Sequence, residues 1–91
     1  MRVIWTDPAL SDLAEIREFI EQRDPEAAVG VALRLVEISD LLTDQPRMGV
    51  RVGFDDNKRK LIVGGTPYIL YYEIRGRVIE IASVRNARRS R

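Results

Sequence analysis

The chain has 91 residues, 45% of them hydrophobic and 32% charged, a composition typical of a soluble globular protein, and we assign residues 1–91 to a single domain. It contains no cysteine and no histidine, which excludes disulfides, thiolate or imidazole metal sites and a Cys nucleophile. No apolar run approaches the roughly 20 residues that span a bilayer, and the N-terminus lacks a signal peptide's apolar stretch, so we expect a cytoplasmic protein without membrane association.

The net charge of +1 conceals two halves of opposite sign. Residues 1–45 contain four Arg or Lys and ten Asp or Glu, whereas residues 46–91 contain eleven and four, so the net charges are −6 and +7. Such a dipolar chain is expected to carry one basic surface. Two interpretations stay open: an acidic helical part covers a basic sheet, or the basic half contacts an anionic partner.

The first predicted elements are a strand over Arg2–Trp5 and a helix over residues 6–24. Asp7 is placed to cap this helix, and Pro8 suits its first helical position, where the missing N–H removes no hydrogen bond. An apolar stripe at helical spacing predicts the buried side of the helix. The stripe consists of Leu10, Leu13, Ile16, Phe19 and Ile20.

A second helix is predicted to begin after Asp24, which caps it, with Pro25 at its first position. Its buried stripe consists of Ala28, Val31, Leu35, Ile38 and Leu42. The sequence DQPRMG, residues 44–49, ends the helix. Only a few residues separate the two helices, so they should form an antiparallel hairpin.

The second half of the chain changes to a strand pattern. After a turn-rich stretch over residues 51–57, three strands are predicted at residues 58–64, 67–74 and 77–84. Arg75 and Gly76 are predicted to form the tight turn between the last two strands. The order of elements predicts an α+β domain in which the N-terminal strand joins an antiparallel β-sheet and the antiparallel helical hairpin packs on one face of that sheet.

Six segments in this order resemble the ParE/RelE superfamily of bacterial type II toxins, and the ParE branch more closely. The segments are PALSDLAEIREFI (8–20), PEAA (25–28), LLTDQPRMG (41–49), RKLIV (59–63), PYILYYEI (67–74) and VIEIASVRNARR (78–89). The resemblance covers nearly the whole chain and implies a RelE/ParE-like fold. It also implies an acidic, partly disordered ParD-like antitoxin that neutralises the toxin in a hetero-oligomer.

The resemblance leaves the target open, because ParE toxins act on DNA gyrase whereas RelE toxins cut messenger RNA on the ribosome. An RNase of the RelE type needs cations at the phosphate and a group that moves protons. Arg59 matches the family's strand arginine, and Arg85 stands where many relatives carry a histidine. No tyrosine follows Tyr72, and arginine stays protonated at physiological pH. An enzyme is therefore not expected; if the protein is a nuclease, Arg59 and Arg85 are its catalytic candidates.

No metal or cofactor is expected, because Asp55 and Asp56 lack further converging ligands in the sequence pattern and no Gly-rich phosphate loop is present. The basic residues are instead assigned to target binding, and the apolar residues near the N-terminus to antitoxin binding. The target-binding candidates are Arg59, Arg85, Arg88 and Arg89, and the antitoxin-binding candidates are Trp5, Leu10, Leu13 and Phe19.

Each assignment has a structural alternative. Arg59 can be an inward ion-pair partner, the arginine-rich end can be a solvated terminus, and Trp5 can be a helix–sheet contact. Three functions remain for the whole chain. The favoured one is a ParE-like toxin that inhibits gyrase by binding; the others are a ribosome-dependent mRNA endonuclease and a non-toxic binding module of the same fold.

Overall fold

A computed structural model describes residues 1–88. The elements in chain order are β1 (Arg2–Trp5), α1 (Asp7–Glu21), α2 (Pro25–Leu41), β2 (Val50–Val52), β3 (Asp55–Ile62), β4 (Tyr68–Arg75) and β5 (Val78–Asn86). The strands form one sheet in the order β1-β5-β4-β3-β2, and the two helices pack on it. The predicted α+β class is confirmed. The sheet is mixed rather than wholly antiparallel, because β1 runs parallel to β5.

The two helices begin in different ways. Asp24 caps α2 as predicted, since its Oδ1 accepts the N–H of Ala27 at 3.1 Å, and Pro25 is the first helical residue. The prediction that Asp7 caps α1 is wrong, because Thr6 holds that position and its hydroxyl accepts the N–H of Ala9 at 3.3 Å. The Thr6 hydroxyl also donates to the carbonyl of Ile81 at 2.7 Å, a contact that ties the start of α1 to β5.

The stretch predicted as a turn over residues 51–57 contains most of β2 and the start of β3. The two strands form a hairpin that turns at Gly53 and Phe54, and Gly53 has φ of 73°, a conformation that favours glycine. The strand β2 has three exposed residues, and β3 opens on acidic and amide residues that are rare in strands, so neither shows a buried alternation. The last hairpin turns at Gly76 and Arg77, one residue later than predicted.

The core lies between the helices and one face of the sheet. In β4 the alternate residues Tyr68, Leu70 and Tyr72 are all buried in this core, as expected of one face of a strand. The other buried members are Ala9, Leu35, Leu42, Val63, Ile79, Ile81 and Val84. The core-facing residues of β5 thus run 79, 81 and 84, which departs from strict alternation and marks a β-bulge opposite Tyr71 and Tyr72.

Candidate contact surfaces

The face of the sheet that points away from the helices carries exposed and half-buried basic residues. Residues paired across neighbouring strands share a face, and Lys60 pairs with Tyr71, which pairs in turn with Ser83. By the same register Lys58 and Arg85 lie on this outer face. Strands β3 and β5 are two positions apart, so their side chains are separated by roughly 10 Å across the sheet. We call Lys58, Lys60 and Arg85 the basic face.

Arg85 reaches the basic face because of the bulge in β5. Without the extra residue near Ala82, the alternation that buries Ile79 and Ile81 would also turn Arg85 toward the core. The bulge is fixed by Thr6, whose N–H donates to the carbonyl of Ile81 at 3.1 Å and whose hydroxyl lies 3.3 Å from the carbonyl of Ala82. Arg85 is therefore an exposed cation on a fixed strand.

The basic face has an acidic end. Glu73 lies opposite Lys58 and pairs across the strands with Glu80, and Glu80 forms an ion pair with Arg75 at 3.5 Å. The positive potential is therefore strongest at the other end, where Lys60 and Arg85 lie. An anionic partner would meet these two residues first.

The chain after β5 continues from the basic face. The N–H of Ala87 donates to the carbonyl of Pro67 at 2.8 Å, and the N–H of Arg88 donates to Asn86 Oδ1 at 2.8 Å. Arg88 is exposed beside the strand end. The fourth target-binding candidate, Arg89, lies outside the described residues.

Arg59 lies on the opposite face of the sheet from its neighbours Lys58 and Lys60, and only 11% of its side chain is exposed. Its Nε donates to the carbonyl of Asp56 at 2.9 Å, and its Nη2 forms an ion pair with the Asp56 carboxylate at 2.7 Å. Its Nη1 donates to the carbonyls of Gly49, at 2.7 Å, and Arg47, at 3.3 Å. The structure thus places Arg59 in a network within the protein, as the alternative interpretation expected.

Tyr72 completes this network from β4. Its hydroxyl accepts the N–H of Gly49 at 2.9 Å and donates to the carbonyl of Pro46 at 2.8 Å. A Cβ on Gly49 would lie 2.5 Å from the carbonyl oxygen of Lys60, so only glycine fits there. Burial raises the pKa of Tyr72, opposed by the Gly49 hydrogen bond and the charges of Arg59 and Arg47, so the phenol stays neutral at pH 7.

We call these residues the clasp, because they fasten the segment between α2 and β2 to the sheet. Its members are Pro46, Gly49, Asp56, Arg59 and Tyr72. The clasp explains why the sequence PRMG follows the second helix: its backbone groups are the partners of two side chains from distant strands. A phenol with both hydrogen-bonding roles occupied is a structural group rather than a proton carrier.

The antitoxin-binding candidates divide into two pairs. Leu10 and Phe19 project from α1 and are about half exposed. Leu13 packs against the core, and Trp5 packs there as well, with its Nε1 donating to Ser39 Oγ at 3.2 Å. Trp5 is thus a helix–sheet contact in the protein alone.

A groove of about 290 Å³ lies between α1 and the end of the sheet. Phe19 and Ile16 line its helical side, Tyr68 and Val84 line its sheet side, and Asp12 Oδ2 accepts the N–H of Val84 at 2.9 Å. A second exposed apolar stripe, which the sequence reasoning missed, lies on α2 at Val29, Leu33 and Val36. Its spacing of four and three residues was the available signal.

The site residues that the sequence reasoning missed are Lys58, Lys60 and Tyr71. The signal was the alternation of β3 and β4: a strand that turns Arg59 inward with Tyr72 must turn both lysines outward with Tyr71. Among residues 1–88, no three His, Cys, Asp or Glu side chains converge as metal ligands. The helices of the described part are too short or too polar to cross a membrane.

Comparisons with known proteins agree with this architecture. Residues 3–91 match the family described as the ParE toxin of the type II toxin-antitoxin system parDE. The chain is 40% identical over 86 residues to "Putative toxin Y4kP" of Sinorhizobium fredii, with 94% of this chain and 88% of that protein covered. It is 35% identical over 88 residues to Toxin RelE2 of Caulobacter vibrioides, with 97% of each covered.

A solved structure of the chromosomal ParDE system from P. aeruginosa has the same fold, with a TM-score of 0.82, 23% identity and coverage of 94% of this chain and 95% of that chain. The chain thus shares its two-helix hairpin on a five-stranded mixed sheet with that solved structure, and its sequence is that of a toxin of a type II toxin-antitoxin system. The chain belongs to the ParE toxin family.

Proposed function

We propose that this toxin arrests growth in the cytoplasm by binding DNA gyrase, without covalent chemistry of its own. The observation that carries the proposal is the separation of the basic face from the clasp. Lys60 and Arg85 present charge to a partner, whereas Arg59 and Tyr72 are engaged within the fold. A surface of lysine and arginine recognises anions but does not accept protons at neutral pH.

The target contact extends from the basic face along the end of the chain. Arg88 is exposed three residues after Arg85, and Arg89 follows it in the sequence. Arg59 supports this contact indirectly, because it fixes β3, the strand that carries Lys58 and Lys60. We therefore assign Arg85, Arg88 and Arg89 to target contact and Arg59 to positioning.

A ParD-like antitoxin is proposed to neutralise the toxin by covering its helical side. Leu10 and Phe19 are exposed along α1, and the groove beside Phe19 is open to an apolar side chain. Leu13 and Trp5 pack against the core, so their proposed role is to support this surface. An acidic part of the antitoxin would then extend to the basic face and block the target contact.

A second candidate, a ribosome-dependent mRNA endonuclease, is favoured by one observation. Tyr71 lies on the basic face between Lys60 and Ser83, so a phenol stands near cations that can hold a phosphate. In this case Lys60 and Arg85 would stabilise the transition state and Tyr71 would be the candidate for proton transfer. The sequence gives Arg59 and Arg85 as the catalytic candidates, and of these two only Arg85 belongs to the basic face.

Purified gyrase and cellular transcripts distinguish the candidates. We expect the wild-type protein to block gyrase supercoiling and to leave transcripts uncut by primer extension. The double variant Arg85→Ala/Arg88→Ala should lose both gyrase inhibition and growth arrest while it still binds the co-expressed antitoxin. The matched control is Arg17→Ala/Arg34→Ala, which removes two exposed arginines from the helices.

Each alternative gives a different result. Transcripts cut within codons would contradict the gyrase proposal and support the nuclease, and Tyr71→Phe should then abolish cleavage. Normal growth on induction, despite tight binding to the antitoxin, would instead identify a non-toxic binding module.

A further inference from the structure

The hairpin of β2 and β3 carries exposed apolar side chains at the edge of the sheet. Phe54, in its turn, is fully exposed, and Val50 and Val52 on the edge strand are exposed as well. Gly53 satisfies the backbone of the turn with its φ of 73°, whereas nothing in the turn requires a phenylalanine. We call Val50, Val52 and Phe54 the hairpin tip.

The hairpin tip is held in position by the clasp at its base. The segment that leads into β2 is bound by Tyr72 through Pro46 and Gly49, and Arg59 binds the same segment from β3. Asp56, on β3, pairs with both Arg59 and Arg47. Because both strands are fastened, Phe54 is presented by a fixed element, and little conformational entropy is lost when a partner binds it.

Basic side chains around the hairpin tip and its clasp outnumber acidic ones by four (Arg47, Arg51, Lys58, Arg59) to three (Asp55, Asp56, Glu73). Asp56 is paired within the clasp, Asp55 is exposed and accepts the N–H of Asn57 at 2.9 Å, and Glu73 lies opposite Lys58. Arg51 and Lys58 are exposed on the two strands behind the turn. A hollow of about 280 Å³ adjoins the hairpin, and its lining includes Val52, Lys58 and Glu73. These features are complementary to an acidic surface that contains an apolar pocket.

A protein fits this surface better than a nucleic acid does. The outer edge of β2 offers backbone N–H and C=O groups to another strand, and its valines have the shape that packs in β-pairs. A fully exposed aromatic side chain gains most when it enters a desolvated pocket, which is how hot-spot residues act in protein interfaces.

We propose that the hairpin tip is the anchor by which this toxin docks on an acidic surface of its protein target, with Phe54 inserted into an apolar pocket. The proposal rests on the proposed function, since it takes the target to be gyrase. Lys60 and Arg85, at the end of the basic face away from Glu73, then supply electrostatic attraction, and the hairpin tip supplies affinity through burial.

The test compares Phe54→Ser with Leu33→Ser, a matched control on the outer face of α2, where Leu33 is also exposed. Binding of each purified variant to purified gyrase is measured by surface plasmon resonance, together with supercoiling inhibition and thermal unfolding. Phe54→Ser should weaken binding about 30-fold, which corresponds to full burial of a phenylalanine. Leu33→Ser should bind like the wild type, and neither change should lower Tm.

The readouts separate failure of this proposal from failure of the proposed function. If the wild type inhibits gyrase and Phe54→Ser inhibits it equally well, the docking role of the hairpin tip is overturned and the gyrase proposal stands. If the wild type does not bind gyrase, the gyrase proposal fails, and growth arrest by Phe54→Ser equal to that of the wild type overturns the docking role as well.

Two further outcomes would also overturn the docking role. The first is loss of binding to a DNA or RNA oligonucleotide by Phe54→Ser, in place of loss of binding to gyrase. The second is a wild-type dimer that Phe54→Ser converts to a monomer in sedimentation measurements, because the tip would then bind a second copy of this chain.

Discussion

The clasp and the basic face use the same types of residue for opposite purposes. Arg59 and Lys60 are adjacent in β3, and Tyr72 and Tyr71 are adjacent in β4, yet each pair is divided between the two faces of the sheet. On the helix side, Arg59 and Tyr72 meet backbone carbonyls and a carboxylate. On the outer side, Lys60 and Tyr71 are partly exposed to solvent and accessible to a partner. Position in the strand, rather than residue type, decides whether a cation is bound within the fold or lies on the outer face.

The largest expected effect is a difference in stability between variants of Arg59 and Lys60. Arg59→Ala should destabilise the protein by about 2–3 kcal/mol, because it removes a nearly buried guanidinium and leaves the carbonyls of Gly49 and Arg47 without that donor. In a chain of this size that corresponds to a fall in Tm of roughly 10–20 °C. Lys60→Ala should change stability by less than about 0.5 kcal/mol. Equal Tm values for the two variants would contradict the claim that Arg59, but not Lys60, stabilises the fold.

A second difference in stability is expected between variants of Tyr72 and Tyr71. Tyr72→Phe should cost about 2 kcal/mol, since it removes the partner of both the Gly49 N–H and the Pro46 carbonyl. Urea unfolding measures this value directly. Tyr71→Phe is the control, and we expect it to unfold like the wild type. A large loss of stability in Tyr71→Phe would show that the outer face also holds the fold together.

Thr6 tests how the basic face is formed. Thr6→Val keeps the side-chain shape but removes the hydroxyl that caps α1 and binds the carbonyl of Ile81, so it should cost about 1 kcal/mol. Because the same hydroxyl lies next to the bulge that turns Arg85 outward, gyrase inhibition should fall as well. Thr6→Ser should retain both properties. Thr6→Val with full inhibition would show that Arg85 is positioned without this contact.

The smallest expected effect is a pH dependence at the clasp. The pKa of Tyr72 is raised above its ordinary value of 10.0, mainly by burial. Below pH 10 the phenol is neutral in both the folded and unfolded states, so its contribution to stability is constant. Above pH 10 the unfolded state ionises first, and stability falls as the pH rises. The gap in unfolding free energy between wild type and Tyr72→Phe should therefore be constant below pH 10 and narrow as the pH rises above 10.

The parts of the fold that depend on local pattern could be predicted from the sequence. Asp24 and Pro25 signal the start of α2 because the cap acts on the first turn of the helix. The alternation of β4 identifies the buried Tyr68, Leu70 and Tyr72. The parts that were missed depend on contacts between distant residues. Thr6 displaces Asp7 as the cap of α1 while it also binds Ile81, 75 residues away in the sequence.

The candidate site was harder to predict than the fold for the same reason. Arg85 directly follows the predicted strand at residues 77–84, but the direction of its side chain depends on a bulge that no local pattern reveals. Arg59 was identified by resemblance, yet its surroundings come from the segment at Arg47 and Gly49. The hairpin tip was hidden because Phe54 stands within a run of turn residues and has no apolar period around it.

The central claim is that the basic face contacts the target while the clasp holds the fold. The most direct test is inhibition of gyrase supercoiling by Lys60→Ala/Arg85→Ala. The assay is run at a temperature at which thermal unfolding shows the variant to be folded. We predict at least a tenfold loss of inhibition with a Tm within about 2 °C of the wild type. Full inhibition by this variant would contradict the claim and would place the target contact elsewhere on the toxin.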